Sequence, residues 1–369
     1  MTENTDPRPS VVVLGGGYGG INVAKALDEV AEVTLVDPKA AFVHNVAAWR
    51  ALVESEWLER IFLPYDRLLA NGSFIRDHAV EVDGRSVKLS SGERLEPDYL
   101  ILATGSSYPF PAKSTEPDVA LARTHYLEAH EALRAAGRVL VVGAGPSGLE
   151  LSGEIKAFFP EKEVTVADVS NDIMAGPFDQ ALRDELRRQL DALGVRLALG
   201  SPLRELPAAP PATLAPISIE TEAGLQLTAD IWFRCFGVTP QTGYLRGRLA
   251  DARGAGGYIA VDQHLRVVGQ PGVFALGDAA DADRDMASMA SAQAKVVAAN
   301  VSALVTGEGE LTSYERYPTV IAVPLGPEGG AGQLPGQDAI AGPEAIAELK
   351  GRHMLMDSYV ELFNAAATA

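Results

Sequence analysis

The sequence predicts an α/β chain with two Rossmann-like nucleotide-binding units, and three observations predict it. Two short apolar runs, Val11 to Leu14 and Val139 to Val142, each feed a Gly-x-Gly-x-x-Gly turn and then a helix-like pattern. Each unit continues into a further apolar strand that stops at an acid, Asp37 in the first and Asp168 in the second. A late strand, Val273 to Leu276, ends in Gly277-Asp278.

In the first unit, Gly15 permits a tight turn and Gly17 lets backbone approach a diphosphate. Gly20 lets the helix pack closely on the strand, and Tyr18 and Gly19 complete the cradle. The N–H groups and dipole of the helix start hold the diphosphate. Asp37 stands twenty positions beyond Gly17, where a carboxylate accepts hydrogen bonds from ribose hydroxyls. With 36 glycines in 369 residues, the bare spacing arises by chance ~0.3 times, so the flanking strand and acid carry the argument.

Composition narrows the function. A chain of 369 residues, 47% apolar and 22% charged, has room for two or three domains. A net charge of −18 disfavours nucleic acid and anionic lipid surfaces. No apolar run reaches the length of a membrane span. The opening MTENTDPRPS lacks the order of a signal peptide, and Thr2 offers no myristoyl acceptor. A single cysteine, Cys235, forms no intramolecular disulfide, redox pair or four-thiolate cluster, and it lies in the apolar run Ile231 to Phe236. The expected compartment is the cytoplasm, and no metal is expected.

Along the chain, loop then helix is expected over residues 42–54. Short strands follow near Phe74 to Val80, Ser86 to Leu89 and Arg94 to Leu95, with Asn71-Gly72 and Asp83-Gly84 as turns. Tyr99 to Ala103 reads as a buried strand running into Thr104-Gly105, and Lys113 to Asp118 as a crossover. Gly143, Gly145 and Gly148 repeat the opening pattern, with Pro146 tolerated in the first helical turn. Phe178 to Leu193 is an amphipathic helix closed by Gly194, and the strands from Leu225 end at Gly237. A strand at Tyr258 to Asp262 and an Ala-rich helix over 287–305 come next. After Tyr314 the chain is rich in glycine and proline, then polar. Two fingerprints in one chain point to one bound dinucleotide exchanging electrons with another.

The Ala103-Thr104-Gly105 and Gly277-Asp278 motifs resemble flavoprotein reductases with two dinucleotide-binding domains. His44-Asn45-Val46-Ala47-Ala48-Trp49-Arg50, Phe110-Pro111-Ala112-Lys113, Gly143 to Glu150, Pro160 to Thr165 and Lys350 to His353 sharpen this. Together they resemble the ferroptosis-suppressor branch of the apoptosis-inducing-factor-like flavoproteins, which is similar to type II NADH:quinone reductases. The resemblance implies a glutathione-reductase-like fold with a discontinuous FAD domain over 1–113 and 246–313. It implies an inserted NAD(P)H domain over 114–245 and a C-terminal segment over 314–369.

By the same resemblance, Gly15, Gly17, Gly20, Asp37, Arg50, Thr104, Gly105, Gly277 and Asp278 hold FAD. Gly143, Gly145, Gly148, Asp168 and Gly237 hold the nicotinamide nucleotide, with Glu150 near the flavin. Lys113 and Lys350 match basic residues near the flavin and the quinone pocket. The implied activity passes hydride from NADH to flavin and two electrons onward to a quinone. Each candidate has a plainer alternative. Glu150 is equally a helix-dipole partner, His44 a proton donor to quinone or a backbone-bonded structural histidine, and Lys113 a solvated lysine. Asp278 caps a helix or binds the ribityl chain, roles that are compatible.

The chain departs from the family pattern in places. It lacks the N-terminal myristoylatable glycine of animal members, Leu355 stands where an aromatic quinone contact is expected, and Phe236 replaces the Thr of the second Thr-Gly turn. Ala292-Gln293 is half of a quinone-side glutamine motif. Asp168, with no Arg or Lys between Val169 and Gln180, favours NADH over NADPH. Without a cysteine pair, disulfide-reducing and sulfide-oxidising activities are disfavoured. Two other classes stay open: a ferredoxin or rubredoxin reductase, which the charge of −18 disfavours, and a redox-sensing flavoprotein acting through a protein partner. Peripheral membrane contact and oligomeric state are also left open.

Overall fold

The computed structural model describes residues 8–283, 285–337 and 339–364; Thr2, with the rest of residues 1–7, lies outside them. Two parallel sheets organise the chain. The first runs in the order Val273–Ala275, Tyr99–Leu102, Ser10–Leu14, Glu32–Val36, Ser73–Ile75, with Val12 beside Thr34 on one side and Leu100 on the other. The second runs Arg196–Leu199, Glu163–Asp168, Arg138–Val142, Ile231–Arg234. Strands buried on both faces read as continuous apolar runs, and Val11, Val13, Ile101 and Val141 are each fully buried.

In each sheet the strand entering the glycine turn has the following strand on one side and a later strand on the other. That reversal opens a crevice at the carboxyl ends, where ligands of such sheets sit. Helix Tyr18–Leu27 leaves the first turn and lies against the long helix Ala287–Thr306. Gly19 permits the approach, since a Cβ there would meet Leu276 at 2.9 Å and the Ala290 carbonyl at 3.6 Å. Helix Pro146–Phe158 leaves the second turn with Pro146 in its first turn.

Several elements differ from expectation. The crossover leads into a helix of 17 residues, Val119–Ala135, which the sequence pattern does not announce. Asp118 caps it, its Oδ1 accepting from Leu121 N at 3.0 Å. The stretch from Phe74 to Val80 divides: Ser73–Ile75 joins the first sheet, while Ala79–Asp83 turns into an antiparallel hairpin with Ser86–Leu89. Tyr258 to Asp262 forms isolated bridges, Ile259 to Ala280 and Val261 to Val267, rather than a strand. After Tyr314, the described residues form a hairpin of Ile321–Pro324 and Gly330–Gln333 and then short helical turns through Leu362. Among the described residues, no helix is long and apolar enough to cross a membrane.

Candidate functional site: a cleft shared by two glycine turns

The two turns are built alike. Gly15 has φ +101° and Gly143 φ +114°, a region that favours glycine. Their N–H groups donate to Val36 O and Ala167 O, each at 2.8 Å, which ties each turn to the neighbouring strand. A Cβ on Gly20 would fall 1.8 Å from Gly15 O, and one on Gly148 would fall 1.9 Å from Gly143 O, so helix and turn are in backbone contact. Gly17 and Gly145 are the opposite case, since a Cβ on either meets nothing within 4 Å. Each heads a helix whose first turn carries no acid and no side-chain cap. Open glycines under uncapped helix starts fit a diphosphate at both places.

The two acids also match. Asp37 Oδ2 accepts from Gly16 N at 2.7 Å, and Asp168 Oδ2 accepts from Ala144 N at 2.6 Å. Their other oxygens accept from Lys39 N at 2.8 Å and Ser170 N at 2.7 Å. Each carboxylate therefore shapes its own turn while keeping further lone pairs for a ribose.

A single cleft of about 1680 Å³ is lined by the first turn from Gly15 to Gly19 and by Pro146, Ser147 and Glu150 of the second helix. Its walls also include Met286 to Ala292 at the start of the long helix, and Leu349, Lys350, Leu355 and Tyr359 of the C-terminal segment. Gly20, Gly143, Gly145, Gly148, Asp168 and Gly237 lie outside its lining.

Three of the cleft lysines are paired. Lys113 Nζ lies 2.8 Å from Asp278 Oδ2 and donates to Ser106 Oγ at 2.7 Å, while Ser106 Oγ donates to Asp278 Oδ2 at 2.6 Å. Lys350 Nζ lies 2.8 Å from Glu150 Oε1. Lys39 lies 3.0 Å from Asp37. Two expected catalytic residues are thus joined to each other, and a third to the expected cofactor acid. Asp278 is the middle residue of a short 3₁₀ turn, Gly277–Ala279, and the helix whose start faces the cleft begins at Ala287. Gly277 N donates to the buried Gln293 Oε1 at 2.7 Å, which gives that glutamine a structural partner. Thr104 Oγ1 donates to Gln241 O at 2.7 Å, and Gly105 has φ +63°.

Two expected site residues turn inward. His44 is fully buried; its Nε2–H donates to Met354 O at 2.7 Å, which leaves Nδ1 as acceptor facing Tyr18 OH at 3.3 Å. Burial lowers its pKa to about 4, so the ring is neutral and structural, and it does not line the cleft. Tyr18 OH in turn accepts from Val46 N at 2.9 Å. Arg50 grips buried Glu154 through both carboxylate oxygens at 2.6 and 2.9 Å and donates to Gly351 O at 2.9 Å. It joins the two units from inside and reaches no cofactor position in the cleft. Gly237 has φ +96° and makes room for Arg234, since a Cβ there would meet Nη2 at 2.8 Å.

The structure adds residues that sequence reasoning missed. Tyr359 lines the cleft with its ring stacked 5.4 Å from Phe42, one helical turn beyond Leu355. Asp285, which accepts from Tyr258 OH at 2.7 Å, also lines it. Asn45 Oδ1 is buried, on a cleft-lining residue, with no partner among the described residues. Asn45 sat inside the distinctive string around Arg50, and that was its only signal.

Comparison with known proteins agrees with this architecture. Residues 9–295 match the model of the pyridine nucleotide-disulphide oxidoreductase family. Ferroptosis suppressor protein 1 of Taeniopygia guttata is 33% identical over 337 residues, covering 90% of each chain. Apoptosis-inducing factor homolog B of Dictyostelium discoideum is 27% identical over 380 residues, covering 98% of each. The crystal structure of sulfide:quinone oxidoreductase from Aquifex aeolicus matches with a TM-score of 0.77 at 17% identity, over 96% of this chain and 92% of that one, a likeness of fold.

Proposed function

The chain belongs to the pyridine nucleotide-disulphide oxidoreductase family, and from that premise we propose that it is an FAD-dependent oxidoreductase taking hydride from NADH and passing two electrons to a quinone. One observation carries the proposal: a single cleft reaches from the first glycine turn to the start of the second helix, so two dinucleotides bound there meet end to end. In this reading, residues 1–113 and 246–313 hold FAD, and 114–245 hold NADH.

Gly17 and the helix behind it take the FAD diphosphate, and Asp37 takes the adenosine ribose. Asp278, held by Lys113 and Ser106, binds the ribityl chain. When bound, FAD supplies a hydride acceptor that releases its electrons in pairs. Gly145 and Ser147 anchor the NADH diphosphate, and the Glu150–Lys350 pair stands beside the nicotinamide. Met286, Met289, Ala290 and Ala292, with Leu355 and Tyr359, give the cleft an apolar wall that suits a flat apolar acceptor.

Cys235 is buried and its thiol is pushed up to about 12, and as the chain's only cysteine it offers no disulfide to carry electrons. The acceptor is therefore outside the chain. A net charge of −18 tells against an acidic ferredoxin in that role. Cytoplasmic residence, with peripheral membrane contact where the quinone is a lipid, belongs to the same proposal.

The test is the visible spectrum of the purified protein before and after anaerobic NADH, followed by NADH oxidation with a short-chain quinone against ferredoxin plus a one-electron dye. Flavin bands that NADH bleaches and quinone restores are the expected outcome. A protein that stays colourless after incubation with FAD, or one that reduces ferredoxin faster than quinone, overturns the proposal.

A further inference from the structure

Arg234 ends the strand Ile231–Arg234 and pairs with Val142, the residue before Gly143, so it stands at the carboxyl edge of the second sheet beside the glycine turn. Its guanidinium lies 4.6 Å over the Phe236 ring, and the missing side chain of Gly237 leaves space for it. Stacking and the absent Cβ fix the plane of the fork. Yet Arg234 Nε is buried with no hydrogen-bond partner, and no carboxylate pairs with the side chain among the described residues. In a chain of net charge −18, a fixed arginine without an anion needs another explanation.

Its surroundings supply one. Burial pushes the phenol of cleft-lining Tyr108 up, and the nearby Arg234 charge opposes that shift. Tyr108 lines the cleft together with Ser147, which stands in the uncapped first turn of helix Pro146–Phe158. Helix start, hydroxyl and guanidinium therefore gather at one place, the combination an anion takes. Sheet order then separates the roles: Glu163–Asp168 lies on one side of Arg138–Val142, and Arg234's strand lies on the other. The 2′ position of the adenosine ribose belongs with Asp168, away from Arg234.

We infer that Arg234 binds the diphosphate of the pyridine dinucleotide from the side of the sheet opposite Asp168, a positioning role that rests on the assignment of NADH to the second turn. The test is calorimetric titration of flavin-loaded protein with ADP-ribose and with AMP, alongside steady-state KM for NADH and NADPH. Arg234→Gln is expected to bind ADP-ribose about tenfold or more weakly, since a charge-assisted hydrogen bond is lost. AMP, which carries only one of the two phosphates, is expected to lose less affinity than ADP-ribose, kcat to stay unchanged, and KM to rise alike for both nucleotides.

Arg234→Lys keeps the charge and loses the fork, so an intermediate affinity is expected; it also serves where the glutamine variant does not fold. ADP-ribose affinity at the wild-type level in the variants overturns the inference, and so does a loss confined to NADPH, which would put the guanidinium at the 2′-phosphate. Wild-type protein that binds no ADP-ribose would instead overturn the assignment of the second turn.

Discussion

Lys350 and Glu150 are 200 positions apart in the chain and meet at 2.8 Å across the cleft, with their side chains only 15% and 16% exposed. The contact ties the helix of the second glycine turn to the C-terminal segment. It also cancels a negative charge where a dinucleotide carrying two phosphates is proposed to arrive. Lys350→Met removes the positive charge that faces Glu150, so KM for NADH is expected to rise about tenfold. Glu150→Gln/Lys350→Met is expected to recover part of that loss, with a coupling of roughly 0.5–3 kcal/mol in a double-mutant cycle on kcat/KM. Strictly additive effects would show that the pair is not coupled.

The glycines separate into two kinds with opposite consequences. Gly17 has φ −79° and Gly145 φ −77°, both open to alanine, and the new Cβ would enter only the cradle. Gly17→Ala is therefore expected to fold and to be purified with little FAD. Gly145→Ala is expected to keep FAD while KM for NADH rises about tenfold, a loss of ~1.4 kcal/mol in binding. In Gly148→Ala the Cβ would lie 1.9 Å from Gly143 O, so a lower melting temperature is expected instead. Full flavin content in Gly17→Ala would count against the first cradle.

The two turns were legible in the sequence because Gly15 and Gly143 need a positive φ and Gly20 and Gly148 a close backbone approach, demands that glycine alone meets at that spacing. The acids were legible by position, but their bonds to Gly16 N and Ala144 N were not, because turn-binding and ribose-binding carboxylates stand at the same spacing. The string from His44 to Arg50 marked a special place, yet the destination of those side chains depends on partners remote in sequence. His44 reaches Met354, and Arg50 reaches Glu154 and Gly351. Helix Val119–Ala135 has a weak sequence signal because its buried face consists of only Ala122, Tyr126, Ala129 and Leu133 amid polar residues.

His44 links the fold to pH. Its ordinary pKa of 6.5 falls to about 4 on burial, so between those values the unfolded chain binds a proton that the folded chain refuses. Stability then falls as pH drops through 6.5 and levels off only below about 4. A difference of this size is worth about 3 kcal/mol over the full window and about 2 kcal/mol between pH 7.5 and 5. Urea unfolding at those two pH values is expected to show that loss in the wild type, and a loss smaller by this amount in His44→Gln, which keeps a donor for Met354 O. Equal losses in both proteins would place the pH sensitivity elsewhere.

Asp168 is proposed to carry the choice between nucleotides, and its bonds to the turn complicate the usual substitution. A carboxylate beside the second ribose accepts from a free 2′-OH and repels a 2′-phosphate, so kcat/KM is expected to favour NADH over NADPH. The same carboxylate holds Ala144 N at 2.6 Å and Ser170 N at 2.7 Å, so removing it loosens the turn that receives the diphosphate. Asp168→Asn keeps one acceptor oxygen and removes the charge. It is expected to lower kcat/KM for NADH about tenfold and to leave NADPH within about twofold, narrowing the preference from the NADH side. Steady-state kinetics with both nucleotides decides the matter: a wild type that prefers NADPH, or a variant whose NADPH rate falls in step with NADH, would remove Asp168 as the discriminating group.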